Sequence, residues 1–148
     1  MKTILVPVDL SAATPAVCDA ARTLAKLIHA RIVLLHIVQT PPFLMNDYYA
    51  FDAGVMADIV AAGEKIAAKK LESLRSRYAK PPLLVKAVQV TGQPVANILA
   101  QAASCKAAYI VIGSHGHGAV FDLLVGSTTH GVLRKARCPV LVVPIATR

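Results

Sequence analysis

The sequence predicts an α/β domain built on an open, five-stranded parallel sheet, and three observations carry that prediction. Five short runs rich in Val, Ile and Leu recur along the chain, with stretches of helical pattern between them. Most of the runs are apolar on successive positions rather than on alternate ones, the pattern of strands buried on both faces. The order β-α-β-α-β-α-β-α-β then implies parallel strands joined by right-handed crossovers.

The first run, "TILVPV" (3–8), opens the chain. A helical stretch over 14–29 comes next, with Thr14 as its expected N-cap and Pro15 at the first helical position. Its apolar stripe is Ala16, Val17, Ala20, Leu24, Leu27 and Ile28. "RIVLLHIV" (31–38) reads as the second strand. The connection at 39–52, "QTPPFLMNDYYAFD", is long and holds four of the seven aromatic residues. It serves either as cover for a helix or sheet edge, or as a flap over a ligand or partner surface. A long helix is expected over 53–78, a third strand at "LLVKAVQV" (83–90), and a helix over 93–105 opened by "GQP". "AYIVIG" (108–113), a helix over 127–136 and "PVLVVP" (139–144) complete the series.

Composition narrows the class. The chain has 148 residues, 55% hydrophobic and 16% charged, which suits one domain (1–148) with a full core. No apolar run approaches the length of a membrane span. The first residues, "MKTILVPVDLS", read as a strand and not as a secretory signal, so a cytoplasmic location is expected. The three cysteines, Cys18, Cys105 and Cys138, are far apart and without CxxC spacing, which argues for free thiols over a disulfide or zinc framework. The net charge of +8 gathers in 65–80 and 134–137, both helical in pattern. Solvated helix faces account for it first, and attraction of an anionic ligand second. No specific nucleic-acid platform is visible.

Half of the eight glycines fall in one loop, "GSHGHGAVFDLLVG" (113–126), after the fourth strand and before the last helix. In an open α/β sheet, ligands bind at the carboxyl ends of strands where the strand order reverses. Glycines there let backbone N–H groups approach an anion, and the helix N-terminus adds its dipole and unpaired amides. Ser127, Thr128 and Thr129 add three hydroxyls, completing a phosphate cradle. The loop fits neither the P-loop pattern, having no lysine after Gly126, nor the dinucleotide fingerprint. What remains is G-x2-G-x9-G-[ST]. "HGH" at 115–117 is read as a phosphate donor rather than, with His130, a zinc triad, because no cysteine or second-shell acid is spaced for one. Whether a metal binds is left open. No nucleophile–base–orienter set is present, so an efficient enzyme is not expected.

In that loop the chain resembles the universal stress protein (UspA-like) family, nucleotide-binding type, whose loop is matched by Gly113, Gly116, Gly126 and Ser127. "ILVPVDLS" (4–11), "VLLHIV" (33–38) and "CPVLVVP" (138–144) resemble the family's first, second and closing strands. The resemblance implies a Rossmann-like, adenine nucleotide alpha hydrolase-like sheet of order 3-2-1-4-5. It implies ATP, or AMP, ADP or cyclic AMP, with Mg²⁺, and at most slow ATP hydrolysis. It places Asp9 by the ribose or adenine edge, flanked by Pro7 and Val8, with the backbone of Ile37 on the adenine. Gly113, His115 and Gly116 would wrap the ribose and phosphates, and Gly126, Ser127 and Thr128 would bind phosphate. Asp9 has a second reading as a turn or helix-capping residue. Family members often carry a basic residue between the second and third glycines; here "HGAVFDLLV" has only His117, beside Asp122. That departure opens the site to a monophosphate or cyclic nucleotide. It also keeps a second class of function in view, a dimeric interaction protein with a vestigial pocket. The resemblance implies a homodimer through 139–144, an apolar edge strand that would otherwise lie bare.

Overall fold

The computed structural model describes residues 1–39, 53–115 and 125–145. The elements are β1 (Lys2–Pro7), α1 (Thr14–Ile28), β2 (Ala30–Val38), α2 (Ala53–Tyr78), β3 (Val85–Thr91), α3 (Pro94–Ser104), β4 (Tyr109–Gly113), α4 (Ser127–Lys135) and β5 (Val140–Val143). All five strands pair in parallel in the order β3-β2-β1-β4-β5. β1 and β4 are therefore neighbours, and the strand order reverses between them.

Successive strand residues go to opposite faces, which is why the runs are apolar at every position. Ile4, Val6, Ile32, Leu34 and Val111 pack under α1 and α2, against Val17, Cys18, Ala21, Ala25, Leu71 and Tyr78. Leu5, Val33, Leu35, Ile110 and Ile112 pack on the other face, against Ile98 of α3 and Val132 of α4. Burial, aided by the charge of Asp19, pushes the Cys18 thiol up to about 12, so it behaves as a small apolar core residue. The Tyr78 hydroxyl lies 3.3 Å from Asp19 Oδ1, tying the end of α2 to α1. Gly131 lets α4 lie close to α3: a Cβ there would sit 2.7 Å from Val95 Cγ2, on a stiff β-branched side chain.

The structure corrects three local expectations. Thr14 does not cap α1. It is the first helical residue, preceded by Ala13, and no side chain among the described residues caps the helix. Its hydroxyl turns back toward Asp9 instead. The third strand starts at Val85, not Leu83, because the Leu83 amide donates to Lys80 O within a turn. β5 starts at Val140, since Pro139 has no N–H for the ladder. The aromatic connection falls almost wholly outside the described residues. No helix among the described residues is long and apolar enough to cross a membrane.

Candidate functional site

A cleft of about 890 Å³ opens at the carboxyl ends of β1, β2 and β4. Nine of the ten residues singled out from the sequence line it: Pro7, Val8, Asp9, Ile37, Gly113, His115, Gly126, Ser127 and Thr128. The tenth, Gly116, lies outside the described residues, as do His117 and Asp122.

The first wall is the turn after β1. Val8 N–H donates to Leu35 O at 2.8 Å, the last rung between β1 and β2. Asp9 Oδ1 then accepts the Ser11 amide at 3.0 Å and lies 3.4 Å from the Thr14 hydroxyl. The Ser11 hydroxyl accepts the Ala13 amide at 3.2 Å. This turn lets Leu10 take a left-handed φ of 59°. Asp9 thus makes the bonds of a turn residue while its exposed carboxylate also lines the cleft, so both of its readings stand.

The second wall is the open end of β2. In a parallel ladder, the N–H and C=O of one residue face the same neighbour, and alternate residues face alternate neighbours. Ile32 N–H donates to Leu84 O, and Val38 O accepts Gly92 N–H, so even positions of β2 face β3. Leu35 O accepts from Val8, so odd positions face β1. Ile37 is the next odd position. Its backbone donor and acceptor therefore face the side where β1 has already ended. Beside it, the His36 ring lines the cleft, with Nδ1 2.9 Å from Val8 O. A carbonyl only accepts, so Nδ1 carries the proton.

The third wall is the start of the glycine loop and of α4. Ser114 N–H donates to Val143 O at 2.8 Å, and the Ser114 hydroxyl accepts the Ile145 amide at 3.0 Å. Ser114 O accepts Gly126 N–H at 2.8 Å, which closes the two described ends of the loop on each other. His115 is buried, its Cα 3.4 Å from where a Cβ on Gly126 would lie. The Gly126 amide is thereby committed to the loop itself. Gly113 also has a packing reason: a Cβ would come 3.3 Å from Val17 Cγ2 and 3.4 Å from Ile145 Cγ1. Of the three hydroxyls, that of Thr129 is buried and donates to Gly113 O at 2.7 Å. Ser127 and Thr128 remain on the cleft. Among the described residues no side chain caps α4; its first turn has no acidic residue, and its last has Arg134 and Lys135. Its N-terminal turn is electrostatically suited to an anion.

A fourth wall has no signature in the sequence patterns. Ile59, Val60, Gly63 and Ala67 of α2, with Val38 and Gln39, close the β2 side with mostly apolar surface, and Pro94 and Ile98 of α3 line the other side. The one available signal is Gly63 inside a long helical pattern. A Cβ there would meet nothing within 4 Å, so packing does not require glycine at that position.

A model of the Universal stress protein family matches residues 1–144. The chain belongs to the universal stress protein family. Universal stress protein YxiE of Bacillus subtilis is 29% identical over 147 residues, covering 95% of this chain and 97% of its own length. The solved structure of UspA from Lactobacillus plantarum superposes with a TM-score of 0.80 at 27% identity, covering 96% and 97% of the two chains. Two more distant family structures share the fold at 21% identity. One was solved in complex with cAMP (TM-score 0.69, covering 97% of this chain and 96% of that one). The other, from Archaeoglobus fulgidus, was solved in complex with dAMP (TM-score 0.67, covering 97% and 98%).

Proposed function

We propose that this universal stress protein binds an adenine nucleotide, ATP first, in the cleft and works as a cytoplasmic, nucleotide-responsive regulatory module. One observation carries the reading: a backbone donor–acceptor pair at Ile37 and an α4 N-terminus with no side-chain cap among the described residues line one cleft at the reversal of strand order. Adenine presents an acceptor at N1 beside a donor at its 6-amino group, the complement of a peptide N–H beside a C=O. The apolar wall of Val38, Val60 and Ala67 suits the faces of a purine, and the α4 terminus with Ser127 and Thr128 suits phosphate. The distant family members solved with cAMP and dAMP support the same class of ligand.

For a triphosphate, Mg²⁺ would neutralise phosphate charge. Asp9 is the one carboxylate among the described residues of the cleft, and it already accepts bonds within its turn. The ion would thus be held chiefly by phosphate oxygens and the Ser127 hydroxyl. Calorimetry with ATP, AMP and cyclic AMP, together with mass spectrometry of any ligand released from the purified protein, tests the reading. ATP is expected to bind most tightly. A preference for AMP or cyclic AMP gives the site to a smaller nucleotide, and no binding by any of the three leaves the interaction-module reading.

The second part of the proposal is a homodimer through β5, which pairs on one side with β4 and leaves Val140–Val143 as a sheet edge. Val140 and Val142 pack inward on the α3/α4 face, whereas Leu141 is exposed. Leu141→Lys is therefore the substitution that touches the edge with least damage to the core. It is expected to shift the protein toward monomer in sedimentation. A parent that sediments as a monomer at micromolar concentration removes the dimer.

A further inference from the structure

We infer that His36 is a positioning residue for base recognition: its ring stops the β1–β2 ladder one rung early and so keeps the Ile37 N–H available to a ligand. The register fixes what the missing rung would be. In this sheet the N–H of a residue donates to the carbonyl one before its partner, as Ile32, paired with Val85, donates to Leu84 O. Pro7 pairs with Leu35, so Ile37 would stand opposite Asp9 and donate to Val8 O. That oxygen is the one the His36 ring holds, with Nδ1 at 2.9 Å. The side chain thus substitutes for the backbone donor of the very next residue. It satisfies Val8 O, which extends the strand direction by a residue without extending the ladder. Two adjacent residues do two jobs: His36 ends the β1–β2 ladder, and Ile37 faces the cleft.

The consequence for recognition rests on the adenine reading of the cleft. A released N–H at Ile37 donates to N1 of a 6-amino purine, whereas a 6-oxo purine carries a proton at N1 and meets it donor to donor. Discrimination between the two bases then depends on the rung staying open. Without the ring, Val8 O is left unpaired beside an N–H of matching register, and the ladder closes over the site.

The test has one arm that needs no nucleotide. In the ligand-free protein, hydrogen exchange followed residue by residue should find the Ile37 amide exchanging at least tenfold faster than that of Leu35. In His36→Phe, which keeps a ring but has no donor, the Ile37 amide should become protected. His36→Asn, whose side-chain amide can take the place of Nδ1–H, should return it to the parent's rate. The second arm is calorimetry. His36→Phe should lose at least tenfold in ATP affinity and most of the preference for ATP over inosine triphosphate, and His36→Asn should regain both. An Ile37 amide as protected in the parent as that of Leu35 overturns the inference, and so does His36→Phe with unchanged base preference. An Ile37 amide that behaves as expected in a parent that binds no nucleotide supports the strand-end role of His36 and removes the adenine reading alone.

Discussion

Gly113 and Gly63 line the same cleft from different walls, and their surroundings are opposites. Around Gly113 the space is full: Val17, Ile145 and the backbone of His115 would all lie within 3.5 Å of an added Cβ. Around Gly63 nothing lies within 4 Å. The first belongs to a recognisable loop pattern, yet packing between β4, α1 and the chain after β5 also holds it as glycine. The second belongs to no pattern and sits in a helix interior, where glycine is unfavourable by about 0.5–1 kcal/mol relative to alanine. A motif glycine thus does a structural job at the α4 end of the cleft, while an isolated one leaves room along the apolar wall.

That contrast can be broken experimentally. Gly113→Val should give the largest effect, a loss of about 1–3 kcal/mol from overpacking, read as a lower denaturation midpoint. A variant as stable as the parent but unable to bind would return Gly113 to a purely ligand-contacting role. Thr129→Val should come next. Removing the hydroxyl leaves Gly113 O without its buried donor, at a cost of about 1–3 kcal/mol, and the shape is nearly conserved. Ser127→Glu separates stability from binding by sign. An acid in the first turn should stabilise α4 by about 0.3–1 kcal/mol, while its charge should lower nucleotide affinity at least tenfold. Loss of stability there would mean that the α4 terminus is not electrostatically open. The smallest effect is expected from Gly63→Ala, which should raise stability by about 0.5–1 kcal/mol in thermal or denaturant unfolding. Gly63→Leu then sharpens the comparison: it should fold as well as the alanine variant yet bind nucleotide more weakly, because its side chain projects into the apolar end of the cleft. Equal affinities for the two would make Gly63 irrelevant to the ligand.

The elements are legible in the sequence because burial on both faces forces an unusual density of branched apolar residues, as in "ILV" of β1 and "YIVI" of β4. Their ends are less legible. Thr14 has the chemistry of a cap, but its hydroxyl is drawn to Asp9, five residues back, a choice made by the turn and not by local propensity. At the site, the glycine loop announces itself through composition. The α2 wall does not, since Val60 and Ala67 are ordinary helix residues whose meaning comes only from lying across from β2. His36 is hidden for the same reason, since a histidine in a strand pattern reads as a structural or surface residue. Its role depends on the register between β1 and β2, and register is a property of two segments at once.

Ser114 gathers three bonds onto one residue. Its amide holds Val143, its hydroxyl holds the amide of Ile145, and its carbonyl holds Gly126. The mouth of the glycine loop and the exit of the edge strand are therefore both fastened to Ser114. A ligand that tightened this residue would tighten the edge with it. By thermodynamic reciprocity, a partner docked along Val140–Val143 would change ligand affinity by the same factor by which the ligand changes docking. Sensing and assembly would then be two readings of one equilibrium, reported from opposite sides of a serine.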